Sequence, residues 1–510
     1  MKTSNNRFIL DVNIILDFLL ERGNYHSVSK IIEYLIKNKN GYISSSSLST
    51  IYYTVRKYKK KLLKYLPKIL GYFQIWKTPS YIDWNHPLAH KDIEDYLIHL
   101  TAESLNAFVI TCDEKFLKLS DRAISPEKFF EVVLENKEDT IQFLDLRKQN
   151  LKIYNQMEIY LDSIITSSAF VCGKYVKEFE EKFAEYLKAK FCVGVNSGTS
   201  ALIAALMAIN LKPGDEVIIP VNTFIATAEA VAILGGKPIF VDIHPDYYTI
   251  DTDKLEEKIT KKTKAIIPVH LYGQCADMDK IMKIAEKYNL YVIEDACQAH
   301  GAEYKGKKAG TIGHIGCFSF YPGKNLGSWG EAGACITNDD ILAERLYKIR
   351  NHGGIKKYEH NVLGANFRMT EFQGAVLLKK LKFLDSWNKK RKKLANLYDV
   401  YLKPLEEKNL IKLPKRASYS THVYHLYVIQ VLKGEREEFI NYLKKNNIFT
   451  FIHYPKLLVD TKPFKEKNTC YPVAKNSVKN IVSLPMGPHL SEKDIYKVCK
   501  CIYNYFNYDF

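Results

Sequence analysis

Residues 193–206 read VGVNSGTSALIAAL: small apolar residues ending at Asn196, a Ser-Gly-Thr-Ser turn, then apolar residues at helical spacing. A strand, turn and helix in that order leave the first N–H groups of the helix unpaired. With the helix dipole and the Thr199 and Ser200 hydroxyls, they form a natural phosphate site. The same residues also serve as ordinary N-caps, so the stretch alone leaves both readings open. Its surroundings settle the architecture. Apolar runs DEVIIP (215–220), KPIFVD (237–242), KAIIPVH (264–270), YVIED (291–295), CFSFY (317–321) and ACITND (334–339) alternate with amphipathic helical stretches. That alternation predicts an α/β domain with a mixed, mostly parallel sheet and helices on both faces.

Two further stretches add chemistry. VIEDACQAHGA (292–302) ends a buried strand on Glu294 and Asp295, placing a carboxylate at the carboxyl edge of the sheet, where open α/β folds bind ligands. FSFYPGKNLG (318–327) puts Lys324 in a Pro- and Gly-bounded loop, five residues after Ser319. Desolvation in such a loop favours the neutral, nucleophilic amine, which suits Schiff-base formation. A lysine, an acid to pair with a pyridinium nitrogen and a helix start for a phosphate are together what pyridoxal 5'-phosphate requires.

From about residue 151 to the end, the chain resembles the sugar aminotransferases of the DegT/DnrJ/EryC1/StrS group. Nine motifs carry the resemblance in order: NSGTSAL, PVNTFIATA, PVHLYGQCADMD, EDACQAHGA, FSFYPGKNLG, GEAGA, GANFRMTEFQGA, FIHYP and LPMGPHL. The resemblance implies the fold type I transferase architecture: a large cofactor-binding domain over 151–386 and a small C-terminal α/β lobe over 387–510. It also implies site roles. Lys324 holds the cofactor and moves the proton, and Asp295 keeps the pyridine nitrogen protonated. Gln298 lies near the phenolic oxygen, Phe224 stacks on the ring, and Gly198, Thr199 and Ser319 hold the phosphate. Asn366 reaches the phosphate of a neighbouring subunit, which makes a homodimer with shared active sites. Taken without the family, Phe224 is equally a core residue, Gln298 a helix residue and Asn366 a turn former. His300 and His352 stay outside the catalytic set.

The implied reaction moves an amino group from an amino acid, L-glutamate most often in this family, to a nucleotide-linked oxo-sugar. The wording YPGKNLG with GEAGA resembles members acting on dTDP-3-oxo-6-deoxyhexoses; the alternative within the fold is a 4-oxo-sugar aminotransferase. In the related 3-dehydratase branch His replaces the lysine, so Lys324 argues against that branch.

Residues 1–137 resemble a PIN-like nuclease domain, through ILDVNIILDFLL (9–20), GYISSSSLSTIYYTVRK (41–57) and DIEDYLIHLTAESLNAFVITCDEKFL (92–117). The resemblance implies acids at Asp11, Asp95 and Asp113 gathered around Mg²⁺ or Mn²⁺, because phosphodiester hydrolysis needs the ion to polarise phosphate and activate water. Thr50 stands where that family carries a further acid, which implies weak or absent cleavage. The stretch Arg56–Lys77 holds eight Lys or Arg and no acid, interleaved with aromatics. It reads either as an RNA-facing surface or as a solvated lysine face. Residues 138–150 are expected to form a connecting helix, since EVVLENKEDTIQFLDLRKQN (131–150) has no Gly or Pro. A reading of a different class makes the chain an RNA-acting or regulatory protein that uses the aminotransferase fold as a sensor.

The 510 residues are 46% hydrophobic and 26% charged, which excludes a fibrous or low-complexity chain and implies more than one domain. The net charge is +17, yet residues 1–150 hold 22 Lys and Arg against 18 Asp and Glu, so most of the excess lies further on. Ten scattered cysteines without a CxxC pair indicate neither a disulfide framework nor a zinc site. Asp11 and Asp17 interrupt the apolar N-terminus, so a cytoplasmic protein without a membrane span is expected.

Overall fold

The computed structural model describes residues 7–20, 25–38, 41–44, 47–48, 50–51, 54, 73–76, 97–102, 107–111, 113, 117–118, 123–126, 140–356, 358–466 and 470–510. The chain divides into two compact units, Met1–Asp139 and Thr140–Phe510.

In the first unit, β1 (Arg7–Leu10), β2 (Gly41–Ser44), β3 (Gln74–Trp76), β4 (Ala107–Ile110) and β5 (Ala123–Ile124) form a parallel sheet in the order β3-β2-β1-β4-β5. The order reverses between β1 and β4, and such reversals open a crevice at the carboxyl ends of the strands. Asp11 follows β1, and Asp113 lies three residues beyond β4. Asp95 and most of the basic stretch Arg56–Lys77 lie outside the described residues.

The second unit is built on seven strands in the order β6-β14-β13-β10-β9-β7-β8. They are β6 (Phe191–Val195), β7 (Glu216–Pro220), β8 (Lys237–Val241), β9 (Thr263–Ile266), β10 (Tyr291–Asp295), β13 (Ile315–Ser319) and β14 (Gly333–Thr337), with a two-residue hairpin of β11 (Glu303–Tyr304) and β12 (Lys307–Lys308) at the side. All neighbours are parallel except β14, which runs antiparallel to β13 and β6. Every strand expected from 191 to 339 is present. Apolar cores lie on both faces of the sheet, with Ile293 and Cys317 in one and Val292 and Phe318 in the other. The smaller sheet of β15 (Ile411–Lys412), β16 (Tyr427–Val431) and β17 (Ile481–Leu484) forms the C-terminal lobe, reached through the helix Leu384–Glu407.

The connecting helix expected over 138–150 is not formed as such. Residues 140–146 carry no helix, and the helix runs from Arg147 to Ser167. The reason is tertiary: Ile141 bridges in parallel with Ile448, and the Asp145 carboxylate accepts the Arg147 N–H at 2.9 Å, where the helix begins. A helical pattern with no breaker yields to strand pairing when a partner edge is at hand.

Candidate active site

A cavity of about 710 Å³ opens at the carboxyl edge of the large sheet and collects residues from five of its connections. Gly198, Thr199, Phe224, Asp295, Gln298, Ser319 and Lys324 all line it, so seven of the eight cofactor contacts expected from the sequence converge.

Period-two alternation explains which acid faces inward. On β10, Asp295 shares a face with Ile293, towards the helix Gly198–Ala208, while Glu294 shares the opposite face with Val292. Glu294 is fully buried and accepts from His270 Nε2 at 2.8 Å, from Gly310 N at 2.8 Å and from the Ile312 and Gly313 N–H groups at 2.6 Å. Burial acts against its charge, but His270 and these backbone donors hold the carboxyl below its usual range. Glu294 is therefore a structural clamp, and Asp295 is the acid presented to the cavity. Asp295 is 6% exposed, and its Oδ2 accepts a 2.9 Å hydrogen bond from Thr227 Oγ1.

Ser319 closes β13 on the face of Cys317, opposite the start of the helix Gly198–Ala208. A Cβ at position 198 would lie 2.6 Å from Ser319 Cβ and 3.1 Å from Cys297 Sγ, so only glycine lets the two elements approach this closely. Ser197 caps the helix by accepting from Ser200 N, and Gly198 and Thr199 at the same end line the cavity.

Lys324 sits in the turn after β13, where its N–H donates to Tyr321 O at 2.9 Å. The turn is held from outside by Lys380 Nζ, which donates to Gly327 O at 2.9 Å, and by Asn325 Nδ2, which donates to Asn388 Oδ1 at 2.9 Å and Val423 O at 3.1 Å. Burial pushes the Lys324 amine below the usual lysine range, against the opposing pull of Cys297 and Asp295. This is the direction a nucleophilic amine needs.

Gln298 bridges inward and outward: its Oε1 accepts from Tyr272 N at 2.7 Å, and its Nε2 donates to Tyr454 Oη at 2.9 Å. Phe224 is 52% exposed, with its ring 5.8 Å from that of Tyr454. An exposed aromatic face beside a cavity is available to stack on a planar ring. Asn366 is the exception. It is exposed, its carbonyl accepts from Asn196 Nδ2 at 3.2 Å, and it does not line the cavity of its own chain.

Sequence reasoning passed over other lining residues. Thr227, His453, Tyr454 and Met486 lie inside motifs already quoted, but their inward direction is not readable there. Phe143 and Leu144 gave no signal, because their stretch reads as a helix. His453 is pushed down to about 4 by burial and by Lys324, so it is neutral near pH 7.

In the first unit, Asp11 is buried and its Oδ2 accepts from Thr111 Oγ1 at 2.6 Å. Burial raises its carboxyl. Among the described residues no group of three or more His, Cys, Asp or Glu is gathered as a metal site, and no helix is long and apolar enough to cross a membrane. All nine described cysteines are free.

A lysine with a depressed amine in the turn after β13, a buried acid fixed by a hydroxyl, and a glycine-start helix facing a serine suit an enzyme of the pyridoxal phosphate-dependent class. Residues 152–503 match the DegT/DnrJ/EryC1/StrS aminotransferase family, and the chain belongs to it. It is 43% identical over 366 residues to the dTDP-3-amino-3,6-dideoxy-alpha-D-galactopyranose transaminase of Aneurinibacillus thermoaerophilus, covering 72% of this chain and 99% of that protein. It is 39% identical to the UDP-2-acetamido-2-deoxy-3-oxo-D-glucuronate aminotransferase of Pseudomonas aeruginosa, covering 71% and 100%. The crystal structure of NtdA from Bacillus subtilis with bound cofactor PMP superposes with a TM-score of 0.67 at 34% identity, covering 72% of this chain and 86% of that one.

Proposed function

We propose that the chain transfers an amino group from L-glutamate to the C3 carbonyl of a dTDP-linked 3-oxo-6-deoxyhexose. The observation that carries the reading is the convergence of Lys324, Asp295 and Ser319 with the Gly198 helix start in one cavity. The residues present suit pyridoxal phosphate, because the Gly198–Ser319 approach leaves a small cradle beside unpaired helix N–H groups. When bound, that group supplies an electron sink that acidifies the hydrogen on the amine-bearing carbon.

The chain's own residues do the rest. Gly198, Thr199 and Ser319 donate to the phosphate. Asp295, held in place by Thr227, would pair with the ring nitrogen. Phe224 would cover one ring face, and Gln298 would orient the ring's oxygen side. Lys324 would anchor the cofactor covalently and would move the proton as general acid and base, and burial, which lowers its amine, favours the neutral form that this work needs. Asn366, which stands outside its own cavity, serves the site of a second copy in a homodimer. The N-terminal unit has an accessory, PIN-like role, in which Asp11, Asp95 and Asp113 would hold one Mg²⁺ or Mn²⁺ and the basic stretch Arg56–Lys77 would bind RNA.

Product NMR after turnover of L-glutamate with 3-oxo and 4-oxo dTDP-sugars tests the reaction. Preference for the 4-oxo compound overturns the regiochemistry. Mixing Lys324→Ala and Asn366→Ala subunits tests the shared site: activity returns in the mixed dimer, and its absence despite proven mixing refutes the role of Asn366.

A further inference from the structure

Residues 140–146 begin where the N-terminal unit ends, and they precede the range matched to the family. They form a strap fixed at both ends. Ile141 N donates to Asn447 O at 2.8 Å and Ile141 O accepts from Phe449 N at 3.0 Å. His489 Nε2 donates to Gln142 O at 3.3 Å, and beyond the strap Trp329 Nε1 donates to Asn150 Oδ1 at 2.7 Å. Between these anchors Phe143 and Leu144 form part of the cavity wall.

The wall they make is apolar. The Phe143 ring lies 5.6 Å from His453, close to parallel, and 4.9 Å edge-on from Phe451. Leu144 Cδ2 lies 3.4 Å from the place a Cβ on Gly323 would take, and Gly323 immediately precedes Lys324. The strap thus brings hydrocarbon to the edge of the reacting centre.

We propose that Phe143 and Leu144 are specificity-determining residues, forming an apolar lip that accepts a deoxy carbon of the sugar acceptor and disfavours a carboxylate in its place. The proposal rests on the sugar aminotransferase reading given above. A carboxylate against this lip would lose its water without gaining a partner from Phe143 or Leu144. His453, whose ring lies 5.6 Å from that of Phe143, is neutral near pH 7. Arg391, which also lines the cavity, has its Nη1 committed to the Tyr424, His425 and Met486 carbonyls, while its buried Nε has no partner in the chain. Glu331, another lining residue, adds repulsion.

The test compares kcat/KM of the full-length holoenzyme for a dTDP-3-oxo-6-deoxyhexose and for the dTDP-3-oxo-hexuronate of the same configuration. The wild type favours the deoxy sugar, and Leu144→Arg and Phe143→Arg narrow the preference by about 10-fold or more, with uronate turnover rising. Leu144→Gln carries the same comparison should the arginine variants fail to fold. Variants that lower both rates and leave the ratio unchanged reveal a merely structural strap and overturn the inference, as does a wild type without preference. A wild type that aminates no nucleotide sugar at all overturns the functional reading itself, and this inference falls with it.

Discussion

Thr227 Oγ1 donates to Asp295 Oδ2 at 2.9 Å, joining the helix Ala226–Ile233 to the last residue of β10 across 68 positions of sequence. The bond fixes the one acid of the Glu294–Asp295 pair that faces the cavity, and a second threonine, Thr223, stands 3.3 Å from the Thr227 hydroxyl. The orientation of the acid thus depends on a residue that sequence reading left as part of a motif.

Replacing Thr227 by Val keeps the shape and removes the donor. A buried acceptor left short of a partner costs about 1–3 kcal/mol, so cofactor affinity or kcat should fall by about 10- to 100-fold. Thr227→Ser should retain most of both. An absorbance titration with pyridoxal phosphate and steady-state rates measure the effect; a Val variant indistinguishable from wild type removes Thr227 from the site.

Borohydride reduction of the cofactor-loaded protein should place the label on Lys324 alone, and Lys324→Ala should abolish both the label and turnover. Burial lowers this amine and leaves it nucleophilic. Peptide mapping decides it: a tag on any other lysine contradicts the assignment.

Gly198→Ala should damage both stability and cofactor binding. Its Cβ would meet Ser319 Cβ at 2.6 Å and Ser319 Cα at 3.2 Å, so β13 or the helix must shift. Overpacking of this kind costs about 1–3 kcal/mol. Thermal melts of the apoprotein, with cofactor titration alongside, would show it, and an unchanged melting temperature would deny the close approach.

Acid should destabilise the second unit before most of its carboxylates titrate. Burial pushes His453 and His489 down to about 4, and His300 and His422 down to about 3. Each folded value lies below the ordinary 6.5, so the unfolded chain binds protons that the folded one refuses. Stability is complete above about pH 6.5 and is lost as pH falls towards 4, by up to about 1.4 kcal/mol per pH unit for each histidine. His422→Asn keeps an acceptor for the Tyr424 N–H, bonded at 3.0 Å in the native chain, but cannot titrate. Melting temperatures between pH 7.5 and 4.5 should fall less steeply in that variant, and an equal slope counts against the mechanism.

The sequence by itself determined the alternation of strands and helices from 191 to 339, because apolar periodicity and turn residues are local signals that the parallel sheet then uses unchanged. It also marked the candidate residues: Asp295 and Ser319 end strands, Gly198 opens a helix and Lys324 follows β13 in a turn, and strand ends of an open α/β sheet share one edge. The family resemblance singled out Asp295, but only the tertiary structure separates what the two neighbours do: the packing of β10 against β13 and β9 sends Glu294 to a backbone clamp and Asp295 to the cavity. The same holds for the strap. Residues 140–146 carry a helical rhythm, yet Ile141 pairs with Ile448, more than 300 positions away, and Phe143 enters the active-site wall. A propensity worth a few tenths of a kcal/mol per residue is readable in a window of sequence, whereas a backbone partner and a buried face arise only when distant segments meet.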